Sequence, residues 1–231
     1  MSDPPNDFMQ MVIEAERKEK TVDKEQKDNI VETMRLFMLA GMETTVSILS
    51  VIFKQLAEHP AELATLRSEI DELYANSVAS IQGDFQVLPS GVLRQAKFLN
   101  AVIHEALFLF PPGAATIRRC TTEQCTIEGF VLPANVEVLM PFYSLNQRIM
   151  DDQGHKGYYP MRFVEDPKLS SCFFAFSKFS RSCIGQEFAM IELRQVISVM
   201  VHYFDLTIKT AGEISGLGGL MVKDFTMTAE K

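Results

Sequence analysis

The apolar positions of this chain follow two periods, and the change from one to the other divides the elements it predicts. From about Asp23 to Ala57, the residues Ile30, Met34, Phe37, Met38, Ile48, Leu49 and Ile52 recur at helical spacing. That predicts one long helix, stopped by His59-Pro60; at 1.5 Å per residue it spans roughly 50 Å. Pro60 can open a second helix at its first turn, and Ala61 to Tyr74 is patterned for one. Asn76 to Pro89 is polar and reads as a loop. Ser90 to Phe110 is a third helical run, ended by Pro111-Pro112-Gly113. The period then shortens: Cys125 to Pro133 and Asn135 to Met140 read as two short strands around a turn. Residues 141–175, rich in aromatics, Pro and Asp, read as irregular. Gln186 to Tyr203 is an amphipathic helix, Gly212 to Gly219 a turn, and Leu220 to Thr228 a last strand-like segment. The expected architecture is one mainly α unit with a small β-sheet over residues 23–231, behind a disordered or charged segment, residues 1–22.

Composition narrows the classes of function. The chain has 231 residues, 47% of them apolar, which is ample for a core. A net charge of −8 argues against a nucleic-acid partner. Met1 to Asp28 is too polar for a signal peptide or membrane anchor, and the apolar window Met34 to Phe53 contains Arg35 and Glu43, which favours a buried core helix. Cys120, Cys125, Cys172 and Cys183 are irregularly spaced, so neither a disulfide framework nor a zinc site is expected. A cytoplasmic location is expected for the chain as given. His59, His104, His155 and His202 lack metal-ligand spacing, the 13 methionines read as core filler, and Gly212 to Gly219 is no dinucleotide fingerprint.

The chemistry concentrates near Phe176-Ser177-Lys178-Phe179-Ser180-Arg181-Ser182-Cys183-Ile184-Gly185. Arg181 two residues before Cys183, and a helix beginning just after it, both favour a charged sulfur. In the middle of the long helix stands Ala40-Gly41-Met42-Glu43-Thr44-Thr45. Glycine there costs about 1 kcal/mol relative to alanine, and Thr44 can bond back to a carbonyl and open the helix. Taken alone, that stretch also reads as a small-residue packing site.

The loop resembles the haem-ligand signature of the cytochrome P450 family, in which phenylalanine opens a segment ending Arg-x-Cys-x-Gly. The resemblance implies the C-terminal portion of the cytochrome P450 fold, with the N-terminal half missing, and Cys183 as axial thiolate of haem b (iron protoporphyrin IX). It implies that Thr44 is the catalytic threonine and Glu43 its acidic partner, handing on protons, while Ala40 and Gly41 leave space for oxygen. Arg119, which fits the family's place better than Arg118, and Arg181 are the implied propionate ligands. Phe176 is implied to shield the sulfur, and Gly185 completes the signature. His104 to Pro112 is similar to the family's Glu-x-x-Arg helix, with Glu105 on the glutamate and Phe108 where arginine belongs. Arg162 matches the third member of that network. Glu105 is therefore either a solvated helix residue or a buried carboxylate with Arg162 as its sole cation; losing a buried partner costs about 3–5 kcal/mol. Phe179 stands where the family has glycine, at a turn that resists a bulky residue.

The function implied is oxygen insertion into a small apolar organic substrate, with electrons from NADPH-cytochrome P450 reductase or a ferredoxin docking near Lys178, Arg181 and Arg194. Full-length relatives are often bound to the endoplasmic-reticulum membrane. The alternative is a non-catalytic fragment or pseudoenzyme without stable haem binding, an expectation that Phe108, Phe179 and the short length favour.

Overall fold

His59-Pro60 breaks the first helical run, because Pro60 has no N–H to continue it. The computed structural model places α1 at Lys24–Glu58 and α2 at Pro60–Asn76, with proline in the first turn of α2. It describes residues 24–119, 123–153, 157–172, 174–210, 213–215, 221–223 and 226–230. The segment 1–22, Cys120, His155 and most of Gly212 to Gly219 lie outside the described residues. The chain forms two units, Met1–Met42 and Glu43–Lys231. In the first, the described residues are helical and expose Leu36, Phe37, Met38, Leu39 and Met42, with Arg35 paired to Glu32 at 2.6 Å. The helical assignment runs unbroken through Gly41 and Thr44.

In the second unit, the expected loop at 76–89 contains a hairpin, β1 (Ser80–Gln82) and β2 (Phe85–Val87). Gly83, at φ +60, makes the tight turn between two strands of three residues each, too short for their alternation to stand out. The run Ser90 to Phe110 is two helices, α3 (Ser90–Gln95) and α4 (Lys97–Leu109), parted where Ala96 is extended. Glu69 from α2 caps α4, accepting from the N–H groups of Phe98 and Leu99 at 2.9 and 2.8 Å.

The strands differ from expectation in their pairing. Cys125 to Pro133 is itself a hairpin, β4 (Gln124–Ile127) with β5 (Phe130–Pro133), turned by Glu128 and Gly129 at φ +49 and +84. β6 (Glu137–Met140) pairs antiparallel with β3 (Thr116–Arg119). Residues 141–175 are also more regular than expected: α5 (Phe142–Gln153), α6 (Met161–Glu165) and a 3-10 turn at Pro167–Ser171. Phe142, Asn146 and Met150 are the buried stripe of α5, and the asparagine interrupts its apolar signal. α7 (Gln186–Tyr203) has the expected bounds. It is followed by β7 (Asp205–Thr210), β8 (Glu213–Ser215), β9 (Met221–Lys223) and β10 (Thr226–Glu230). β7 pairs with β10 and β8 with β9, so the described strands form five separate antiparallel pairs.

The core joins Ile48, Ile52 and Leu56 of α1, Leu66 and Ile70 of α2, Val102 and Ile103 of α4 and Leu193 and Ile197 of α7, all fully or almost fully buried. Its far end is fastened by polar contacts. Tyr74 stacks on His202 with centroids 3.9 Å apart, His202 Nδ1 meets Asp71 Oδ1 at 2.6 Å, and Arg67 donates to Asp205 Oδ1 and the Phe204 carbonyl at 2.6 and 2.8 Å.

Candidate functional site

Two backbone bonds fold the cysteine loop back on itself. Ser177 N–H donates to the Phe174 carbonyl at 3.0 Å, and Cys183 N–H to the Phe176 carbonyl at 2.8 Å. Between them lies a 3-10 turn, Phe179–Arg181, closed by Ser182 N–H on the Phe179 carbonyl at 3.1 Å. Phe179 takes φ +58, the left-handed region that glycine enters without steric cost, and is 92% exposed. Gly185 is the N-cap of α7; a β-carbon built there would lie 3.9 Å from Cys183 Sγ. Cys183 itself is exposed, so Phe176 does not cover it as expected, although both border one cavity.

That cavity, about 310 Å³, lies within the second unit and is lined by the cysteine loop, α1, α4, β3, α5 and α7. The loop contributes Phe176, Ser177, Arg181 and Cys183, and α1 contributes Thr44, Thr45 and Ile48. Leu107 and Leu193 close the interior, and Thr116 and Arg118 reach in from β3. Strand geometry separates the two arginines, because neighbours on a strand point to opposite faces. Arg118 shares the half-buried face with Thr116, whose Oγ1 it meets at 2.8 Å. Arg119 faces away, paired with Glu137 across the ladder at 2.5 Å, with more than half of each side chain exposed. The place expected of Arg119 on the site therefore falls to Arg118. Glu43 is exposed and is not among the lining residues. Ala40 and Gly41 belong to the first unit, where both are exposed and a β-carbon on Gly41 would meet nothing within 4 Å.

Behind the cavity, Glu105 and Arg162 form a buried pair. Arg162 Nε lies 2.8 Å from Glu105 Oε2 and its Nη2 donates to Oε1 at 3.2 Å, with side chains 2% and 0% exposed. Tyr159 N–H also donates to Oε1 at 2.7 Å, and Arg162 Nη2 donates to the Gly157 carbonyl at 2.8 Å. Glu105 is thus no solvated helix residue. Burial pushes its carboxyl up, against the lowering effects of the Tyr159 N–H and the guanidinium. Phe108, one turn along α4, is 1% exposed and sets its ring edge-on to Phe163 at 5.8 Å.

A model of the family described as Cytochrome P450 matches residues 1–222. The chain belongs to the cytochrome P450 family. Among its relatives, Cytochrome P450 4A10 of Mus musculus is 33% identical over 171 residues, 74% of this chain and 32% of that protein. The 11-oxo-beta-amyrin 30-oxidase of Glycyrrhiza uralensis is 29% identical over 184 residues, 76% and 32% of the two chains. Cytochrome P450 4F12 of Homo sapiens is 32% identical over 173 residues, 73% and 32%. The P450 chain spans about a third of the length of the curated relatives it matches.

Two cations expected to face an electron donor also hold bonds within the P450 chain: Lys178 donates to the Ser171 carbonyl, and Arg194 Nε to Asn100 Oδ1 at 2.8 Å. Thr45 and Phe142 also line the cavity without having been expected to, and Arg118 had been placed behind Arg119. Thr-Ile-Arg-Arg shows no alternation of apolar and polar residues, so only the folded strand marks Arg118. Asp28–Glu58 is long and apolar enough to cross a membrane, by length and composition, a test that the mostly buried core helices of soluble proteins also pass; 33% of its most apolar window is buried.

Proposed function

We propose that this chain carries the haem-binding and proton-handling side of a haem-thiolate monooxygenase acting on a small apolar organic substrate. One observation supports it above the rest: Cys183, Arg118, Arg181 and Thr44 border a single cavity with apolar walls. The donor set fits a haem, with one soft sulfur for iron and two guanidinium groups for two propionates. When bound, haem supplies the oxygen-activating chemistry, which the thiolate promotes by pushing electron density toward the metal. The chain's own residues do the rest. Cys183 Sγ would hold the iron, and Gly185 keeps the space beside it clear of a side chain. Arg118 and Arg181 orient the propionates, with Arg118 taking the role the resemblance assigned to Arg119. Ile48, Leu107, Leu193 and Phe176 exclude water. The Thr44 hydroxyl passes protons into the cavity, and the adjacent Glu43, exposed outside it, gathers them from solvent. Glu105 and Arg162 fix α4 against α6 behind the ligand loop. Electrons come from an NADPH-cytochrome P450 reductase or a ferredoxin.

Haem titration followed by absorbance tests this reading. The expected result is a saturable complex whose reduced, carbon monoxide-bound form has the red-shifted Soret band of thiolate ligation. Cys183→Ser should abolish that band. Absence of a complex in the parent chain would sink the proposal and favour a second reading, a haem-free protein, to which the strained Phe179 and the exposed Cys183 point.

A further inference from the structure

The Pro111-Pro112 stop creates a specific vacancy in α4. In a helix, the carbonyl of Phe108 would accept from the residue four places on, which is Pro112 and has no N–H. A buried carbonyl left this way needs a donor from elsewhere. Asn146 of α5 supplies it: Nδ2 donates to the Phe108 carbonyl at 3.0 Å, from a side chain that is 0% exposed. The other end of the same amide faces the ligand loop, where Asn146 Oδ1 accepts from Phe174 N–H at 3.4 Å. One turn earlier on α5, the Phe142 ring stacks on the Phe174 ring, 5.8 Å apart and 11° from parallel. Phe174 is also the residue whose carbonyl receives Ser177 N–H, and two residues later Phe176 receives Cys183 N–H.

We infer that Asn146 is the positioning residue of the cysteine loop. A single amide ties the end of α4, which carries Glu105, to the start of the segment that places Cys183. The helix end and the loop thereby move together. The primary amide suits the task because it offers a donor and an acceptor in one plane. Leucine has neither, and an ionised aspartate has only the acceptor. The importance of the tether for ligation rests on the proposed function; the tether itself does not.

Hydrogen exchange on the full chain without haem tests it, comparing the parent with Asn146→Leu and Asn146→Asp. Losing both bonds in Asn146→Leu should speed exchange at the Ser177 and Cys183 amides by about tenfold, leaving the amides of Leu193 to Ile197 unchanged. In Asn146→Asp only the protonated carboxyl can donate to the Phe108 carbonyl. Its loop protection, as a ratio to the parent at the same pH, should therefore recover as pH falls. Should Asn146→Leu fail to fold, the pH dependence of Asn146→Asp decides alone. Loop amides that exchange as in the parent, an acceleration shared equally by loop and helices, or a pH-independent ratio would overturn the inference. Failure of the parent to bind haem counts against the function and leaves the tether standing.

Discussion

Two phenylalanines depart from the family pattern, and the regions that hold them respond in opposite ways. Phe108 replaces an arginine in the core, and the core has absorbed it: the ring packs against Phe163, Asn146 takes the carbonyl, and Arg162 serves Glu105 as its cation. Phe179 stands where the family pattern has glycine, in the cysteine loop, and its side chain is 92% exposed on a backbone at φ +58. A lost charge can be replaced by another residue's charge, because side chains from distant elements converge on one point. A lost glycine cannot be replaced by any neighbour, because the cost lies in the residue's own backbone.

The largest effect that tests this contrast comes from removing the cation that Glu105 pairs with. Arg162→Leu strands the Glu105 carboxyl in the core and should lower stability by about 3–5 kcal/mol. Replacing both, with Glu105→Leu as well, should recover most of it, since no charge is then left unpaired. Denaturant titration of the single and double variants measures both; a single variant within error of the parent would show that the core does not depend on the pair.

Next is a pH effect on the same helix. Burial and, secondarily, the Arg194 guanidinium lower the pKa of His104 to about 4. The unfolded chain takes up that proton first, near the ordinary histidine value, so stability present above about pH 6.5 is lost as pH falls toward 4. The loss is about 3 kcal/mol. His104→Gln should flatten that slope between pH 7 and pH 4.5, and an unchanged slope would contradict it.

The loop should respond less and in the opposite direction. Phe179→Gly relieves the left-handed strain and sacrifices almost no packing, so it should raise stability by about 1 kcal/mol, read as a higher melting temperature. A destabilised variant would mean that the exposed ring has a contact worth more than the strain. The smallest expected effect is that of Arg119→Ala. It removes only a surface ion pair and should change stability by less than about 0.5 kcal/mol, with haem affinity unaltered. Arg118→Ala should weaken haem binding in the same titration. Equal losses from both would contradict the separation of the two arginines by the strand.

What was readable in the chain divides along physical lines. The late helix was legible to its ends, because Gln186 to Tyr203 keeps one apolar stripe and the Cys183 loop precedes it directly. α5 was hidden, because the middle of its buried stripe is a polar asparagine whose partners lie 38 and 28 residues away. The two hairpins escaped because their turns, at Gly83 and at Glu128-Gly129, fall inside segments read as a loop and as one strand. Arg162 was readable as a candidate partner of Glu105, but the pairing joins residues 57 apart. Only folding shows that Glu105 is buried. The choice between Arg118 and Arg119 turned on a strand that begins at Thr116, before the segment where the period of two was recognised.

One consequence follows from how α7 is held. Its tail is clasped by Tyr74, Asp71 and Arg67, whereas its head begins at Gly185 without a side-chain cap. Between them the helix is seated on the core through Met190, Leu193 and Ile197, so its least-held neighbour is the exposed loop before Gly185. Gentle warming should free the sulfur well before the helix lets go, and any metal gripped there would be dropped while the protein as a whole remains folded.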